Sequence, residues 1–161
     1  MRPGSIWRFR PAAKSGCVRG EPLPNPVYLL DTNIVSELRK PKPHGAVVAW
    51  LRALNERDVH VSAVTFGELQ AGVELTREHD AAKATEIEGW INRVLALWNV
   101  LPMDAATFRV CAKLMHRRPR HLFEDAMIAA TARVHGLKVV TRNVKDFRHF
   151  DVDIFNPYRP A

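Results

Sequence analysis

From Val27 onward the chain alternates between two kinds of segment. Short apolar runs rich in β-branched residues, VYLLD (27–31), VHVSAVT (59–65), NVLPM (99–103), LKVVT (137–141) and VDIF (152–155), read as strands, the last at a sheet edge. Between them TNIVSEL, AVVAWLRALNE, GELQAGVELTR, AAKATEIEGWINRVLALW, AATFRVCAKLMH and EDAMIAATARVH read as helices from the spacing of their apolar residues. Asp104 is placed to cap AATFRVCAKLMH, and Gly136 to end EDAMIAATARVH. Strands joined through helices pair in parallel, with the crossover helices covering both faces of the sheet. The alternation therefore predicts an α/β fold with a central parallel sheet between helical layers.

At 161 residues the chain suits one domain with a proper core. Residues 1–26 mix Pro, Gly, Ser and Arg without periodicity and read as a flexible basic extension, closed by the stiff EPLPNP. Residues 27–158 then form the domain and 159–161 a short tail. The net charge is +7, and Arg2, Arg8, Arg10, Lys14 and Arg19 against Glu21 put +4 of it in the extension. That balance suits a nucleic-acid partner, but a charge carried mostly by a tail does not establish one. No apolar run approaches the roughly 20 residues that span a bilayer, and the basic N-terminus lacks the apolar stretch of a secretory signal, so no membrane is expected. Cys17 and Cys111 have no metal-like spacing and fit two free thiols in a reducing cytoplasm.

In a parallel sheet the strand C-termini and the crossover-helix N-termini share one edge, where ligands of open α/β sheets bind. Four distant segments send oxygen ligands there. Asp31 ends the first strand, Glu68 falls in the first turn after VHVSAVT, Asp125 in the first turn before LKVVT, and Asn143 and Asp146 follow that strand. Each has a simpler use on its own. Asp31 can cap a helix, Glu68 can close a capping box with Thr65, Glu124 and Asp125 can favour a helix dipole, and Asn143 can be a turn residue. Those uses do not explain a shared edge. Two carboxylates about 4 Å apart repel by roughly 4 kcal/mol at an effective dielectric near 20, so three together need a cation or a proton. An all-oxygen set suits Mg2+ or Mn2+ rather than zinc, and Mg2+ keeps waters that leave room for a phosphate. The histidines are scattered, mostly at helix ends or in loops, and are not expected to bind metal.

Taken together, LLDTNIVSEL, SAVTFGELQAGV, EDAMIAATARVHGLKVVTRNVKDF and DVDIFNPY resemble the PIN domain, and in particular the VapC-type toxins of bacterial type II toxin–antitoxin pairs. RKPKPHGAVVAWL and the FNPY ending look closest to the FitB-like subgroup. The resemblance implies a Rossmann-like α/β/α sandwich and a Mg2+- or Mn2+-dependent endoribonuclease that leaves a 3′-hydroxyl and a 5′-phosphate. It puts the family's three acids on Asp31, Glu68 and Asp125 and the fourth position on Asn143. An uncharged Asn143 implies weak binding of a second metal. Asp146 is a substitute for that position, although its place suits a helix start better, and Thr32 and Thr141 are donors that would orient the carboxylates. The resemblance also implies a VapB-type antitoxin that blocks the acids and binds operator DNA, and a toxin homodimer. Trp50, Trp90 and Trp98 offer contacts for such partners, with core packing as the plain alternative.

For RNA phosphates the candidates are Arg117, Arg118 and Arg120 in HRRPRH, Arg142 beside Lys145 and Arg148, and the RKPK run at 39–42. Little aromatic interleaving accompanies these charges, so no base-stacking platform is expected. The main rival is the same fold kept as a catalytically weak RNA- or antitoxin-binding module. A haloacid-dehalogenase-type phosphatase is disfavoured, because Asn33 stands where that chemistry needs a second Asp. DNA cleavage shares the chemistry of the acids.

Overall fold

The computed structural model describes residues 26–159. The extension expected over 1–26 lies outside them except for Pro26, as do Cys17 and the last two residues. Strands β1 (Tyr28–Leu30), β2 (Val59–Ser62), β3 (Asn99–Leu101), β4 (Lys138–Val140) and β5 (Ile154–Phe155) form one sheet in the order β3-β2-β1-β4-β5, every pairing parallel. Helices α1 (Thr32–Arg39), α2 (Gly45–Arg52), α3 (Ala63–Arg77), α4 (Ala81–Leu97), α5 (Ala105–Leu114), α6 (Phe123–His135) and α7 (Val144–Phe147) connect them. The α/β sandwich with a central parallel sheet is as expected, with β5 at the edge.

Strand pleating divides the apolar residues between two cores. Leu29 and Val139 point to one, filled by Cys111 of α5, Ala126, Ile128 and Ala129 of α6, and Phe147 and Phe150. Leu30 and Val140 point to the other, filled by Ile34 and Val35 of α1, Val47 and Leu51 of α2, and Val94 of α4. Burying each such side chain is worth roughly 1.5–3 kcal/mol. An exposed pair such as Lys83–Glu86 (2.7 Å) contributes roughly 0–1 kcal/mol. The cores therefore hold the sheet, and the polar residues at its edges are left for other work. Trp50, Trp90 and Trp98 all pack, partly buried, against the second core, and Trp50 lies 5.1 Å from both the Tyr28 and Phe155 rings. Asp104 caps α5 through Thr107, and Gly136, at φ 65°, ends α6 in the left-handed region that glycine adopts without strain.

One boundary differs from the sequence pattern. β2 stops at Ser62, whose Oγ accepts the Val64 N–H at 3.2 Å and caps α3. Val64 and Thr65 are helical despite their β propensity, with the serine cap satisfying one of the free N–H groups of the first turn. Thr65 and Glu68 thus form no capping box, and Glu68 lies in the second turn of α3 instead of the first.

The strand order also singles out one edge position. The chain runs from β1 outward through β2 and β3, then returns to β4 on the other side of β1. The direction reverses between β1 and β4, and the C-terminal ends of strands at such a reversal are where open α/β sheets bind ligands.

Candidate active site

Asp31 stands at that reversal. Its backbone N–H donates to the Val140 carbonyl at 3.0 Å, which ties the end of β1 to the end of β4. Its carboxylate is 4% exposed and is surrounded by neutral donors. Oδ1 accepts the Thr32 N–H at 2.7 Å; Oδ2 accepts the Thr141 hydroxyl at 2.6 Å and the Asn33 side-chain amide. Burial raises its pKa against the lowering effect of Thr141 and Thr32. Thr141 is itself fully buried and acts as a hub: its Oγ1 also accepts the Asn33 Nδ2–H at 3.0 Å and the Asn143 N–H at 2.8 Å.

Glu68 reaches the same edge from α3. Its Oε2 accepts the Thr32 hydroxyl at 2.5 Å, and Thr32 Oγ1 stands 3.1 Å from Thr65 Oγ1. Burial raises its pKa, Thr32 opposes, and the charges of Asp31 and Glu124 raise it further. Asp125, in the first turn of α6, has its pKa pushed up to about 7 by burial and then by Asp31, Asp146, Glu68 and Glu124. Carboxylates from four segments thus bear on Asp125 or on Glu68. Among the described residues no Lys, Arg or His forms an ion pair with any of them; the pairs present are Lys40–Glu37, Arg77–Glu74, Arg77–Glu88 and Lys83–Glu86.

The two residues expected near the fourth position are bonded to each other. Asn143 Nδ2 donates to Asp146 Oδ2 at 2.6 Å, so the amide holds the carboxylate. Asp146, on α7, is the charge that acts on Asp125. Two further residues, Asn33 and Glu124, join the site without a sequence signal that marks them for it. Asn33 bonds Asp31 and Thr141 and accepts the Arg142 N–H at 3.1 Å, a role visible only once β1 and β4 are adjacent. Glu124 is legible in sequence as a neighbour of Asp125, but not as a group facing Glu68.

The donor set fits a hard divalent cation: oxygen ligands, several charged, with no protein cation among the described residues to neutralise them. No three His, Cys, Asp or Glu side chains among the described residues already stand as a closed metal-binding group. The fit is therefore one of chemistry and convergence.

The candidate arginines fare differently. Arg118 is exposed but tethered, its Nε donating to the Leu114 carbonyl at 3.1 Å and its guanidinium 5.7 Å from the Phe150 ring centre. Arg117 (φ 57°) and Arg120 are exposed. Arg142 is exposed beside Asn33 and Thr141.

The family model of the PIN domain matches residues 28–153, from β1 to the segment before β5. The chain belongs to the PIN domain family. This PIN domain is 38% identical over 138 residues to the toxin FitB of Neisseria gonorrhoeae, covering 82% of this chain and 99% of FitB. It is 36% identical over 141 residues to the VapC ribonuclease Y4jK of Sinorhizobium fredii, covering 84% of this chain and all of that protein. Among solved structures, FitAB bound to an IR36 DNA fragment superposes with a TM-score of 0.73 at 34% identity, covering 84% of this chain and 98% of its counterpart. The acids of this PIN domain lie within the matched span, whereas the Tyr158 ending lies beyond it. No helix among the described residues is long and apolar enough to cross a membrane.

Proposed function

We propose that this PIN domain is a metal-dependent endoribonuclease and the toxin of a toxin–antitoxin pair. The observation that carries the reading is the group of acids at the β1–β4 reversal, fixed by neutral donors and paired with no cation among the described residues. Neutral donors set the positions of carboxylate oxygens without cancelling their charge. Asp31, Glu68 and Asp125 hold Mg2+ or Mn2+, with Asp146 contributing at the fourth position and Asn143 holding Asp146. Bound there, the ion supplies polarisation of a phosphoryl oxygen and a lower pKa for the attacking water. Thr32 and Thr141 fix the oxygens of Glu68 and Asp31, and Asn33 links Asp31 to the backbone of Arg142. Exposed arginines next to the acids meet the RNA backbone. The likeness to FitB and to a VapC ribonuclease supports the toxin and ribonuclease parts of the reading. The likeness to FitAB bound to a DNA fragment supports a partner protein and a complex that binds DNA; in this reading the partner is a VapB-type antitoxin, the DNA its operator, and the toxin a cytoplasmic homodimer.

The test is cleavage of total RNA by the purified full chain. Cleavage is expected with Mg2+ or Mn2+ and none in EDTA, and Asp125→Asn should lower it by more than about 100-fold, beyond what loss of an outer hydrogen-bond partner costs. RNA that is bound but uncut with either metal would favour the binding-module reading instead.

A further inference from the structure

Beside the acids lies an aromatic–cationic cluster assembled from three segments that are distant in sequence. Tyr158, from the FNPY ending, has the Arg142 guanidinium 5.7 Å from its ring centre and the His44 ring 4.9 Å away, centre to centre. Its hydroxyl is buried beside the Glu37 carboxylate, short of a well-formed hydrogen bond. Glu37 is fixed in turn by Lys40 Nζ at 2.5 Å and the His44 N–H at 3.0 Å. The polar end of the tyrosine thus lies against α1, while its ring supports an exposed arginine. Arg142 follows Thr141 directly, and its N–H bonds to Asn33, so its backbone is locked to the same hub that holds Asp31. It nevertheless forms no ion pair with any acid among the described residues.

We propose that Arg142, carried on the Tyr158 ring, grips the RNA phosphate neighbouring the one on which the acids act, with Tyr158 as its positioning residue; this rests on the nuclease reading of the acids. A guanidinium stacked on an aromatic face keeps its planar N–H edge free, and that edge matches a phosphate. A polyanion crossing an acidic site needs a fixed cation beside it, and Arg142 supplies one within the locked β4 end. Arg118 makes a comparable ring contact, but its Nε is bonded to the Leu114 carbonyl and its backbone has no bond to the Asn33–Thr141 hub that holds Asp31.

The test is binding of a fluorescein-labelled oligouridylate to the full chain in EDTA, measured as a function of salt. Arg142→Ala should weaken binding and lower the log–log salt slope by about 0.7, the loss of one single-strand phosphate contact. Tyr158→Leu should lower it equally, the double variant no further, and Tyr158→Phe, which keeps the ring, should retain the parent slope. A parent-like slope in Arg142→Ala or in Tyr158→Leu overturns the proposal, as does an additive loss in the double variant. Unchanged RNA binding with weakened antitoxin binding also overturns it, and would make the cluster a protein-docking surface. Failure of the nuclease reading is read separately, as absence of cleavage by the parent protein when Mg2+ replaces EDTA.

Discussion

Asp31 and Glu37 sit at the two ends of α1, and their residues are 4% and 5% exposed. Burial alone would raise the Glu37 pKa, but Lys40, the His44 N–H and Tyr158 reverse this and bring it below the ordinary carboxylate value. Asp31 receives three hydrogen bonds from neutral donors, and burial keeps its pKa raised. The charged groups that face it are acids, Glu68 and Asp125, whose own pKa values it helps to raise. One short helix therefore shows both treatments of a buried carboxylate. Where the fold needs a carboxylate for its own structure, a lysine stands 2.5 Å away. At the β1–β4 reversal the described residues place no such partner, which is the arrangement the proposed metal site requires.

The largest effect is expected from removing the charge at the uncompensated end. Asp31→Asn preserves shape and the bond from Thr32, yet it should lower RNA cleavage by more than about 100-fold in Mg2+. Cleavage within tenfold of the parent would mean that Asp31 is a helix cap and no more.

A smaller effect separates Asp146 from Asn143. Asp146→Asn should reduce cleavage by about 10–100-fold, and Asn143→Ala, which removes only the bond holding that carboxylate, by less than about tenfold. The opposite order would restore Asn143 as the fourth ligand and make Asp146 its support.

The sequence carried the architecture because its signals are periodic and local. Strand runs, helical spacing, the Asp104 cap and the Gly136 stop each depend on a few consecutive residues, and all stand in the structure. Convergence of Asp31, Glu68 and Asp125 on one edge was legible from the polarity of a parallel sheet alone. What escaped depends on neighbours that sequence separates. Ser62 capping α3 moved Glu68 by a turn, because the capped helix start outweighed the β propensity of Val64 and Thr65. The partnership of Asn143 with Asp146 depends on side-chain direction in a four-residue helix. The segments interleave few aromatic residues with the basic ones, so no base-stacking platform is read from them. His44, Arg142 and Tyr158 meet only because β4 and the C-terminal ending pack beside α1.

The smallest expected effect is on the pH dependence of stability, where the two kinds of carboxylate have opposite sign. For Asp125 the folded pKa, about 7, lies above the ordinary 3.8, so the folded state keeps a proton that the unfolded chain has released. Its contribution to stability is complete below 3.8 and is lost as pH rises toward about 7. Glu37 has a folded pKa below its ordinary 4.5, so its contribution is present above 4.5 and is lost as pH falls through the folded value. In EDTA, urea midpoints should therefore decline between 3.8 and about 7, and Asp125→Asn should flatten that decline. Glu37→Gln should leave the decline in place and remove part of the loss on the acid side. Asp125 is half-buried, so solvent screening keeps the change modest. Saturating Mg2+ should flatten the decline as Asp125→Asn does, since an ion that binds the deprotonated acids stabilises the folded state. A decline that survives both Asp125→Asn and Mg2+ would place its origin outside the β1–β4 reversal, and the contrast between the two ends of α1 would lose its functional meaning.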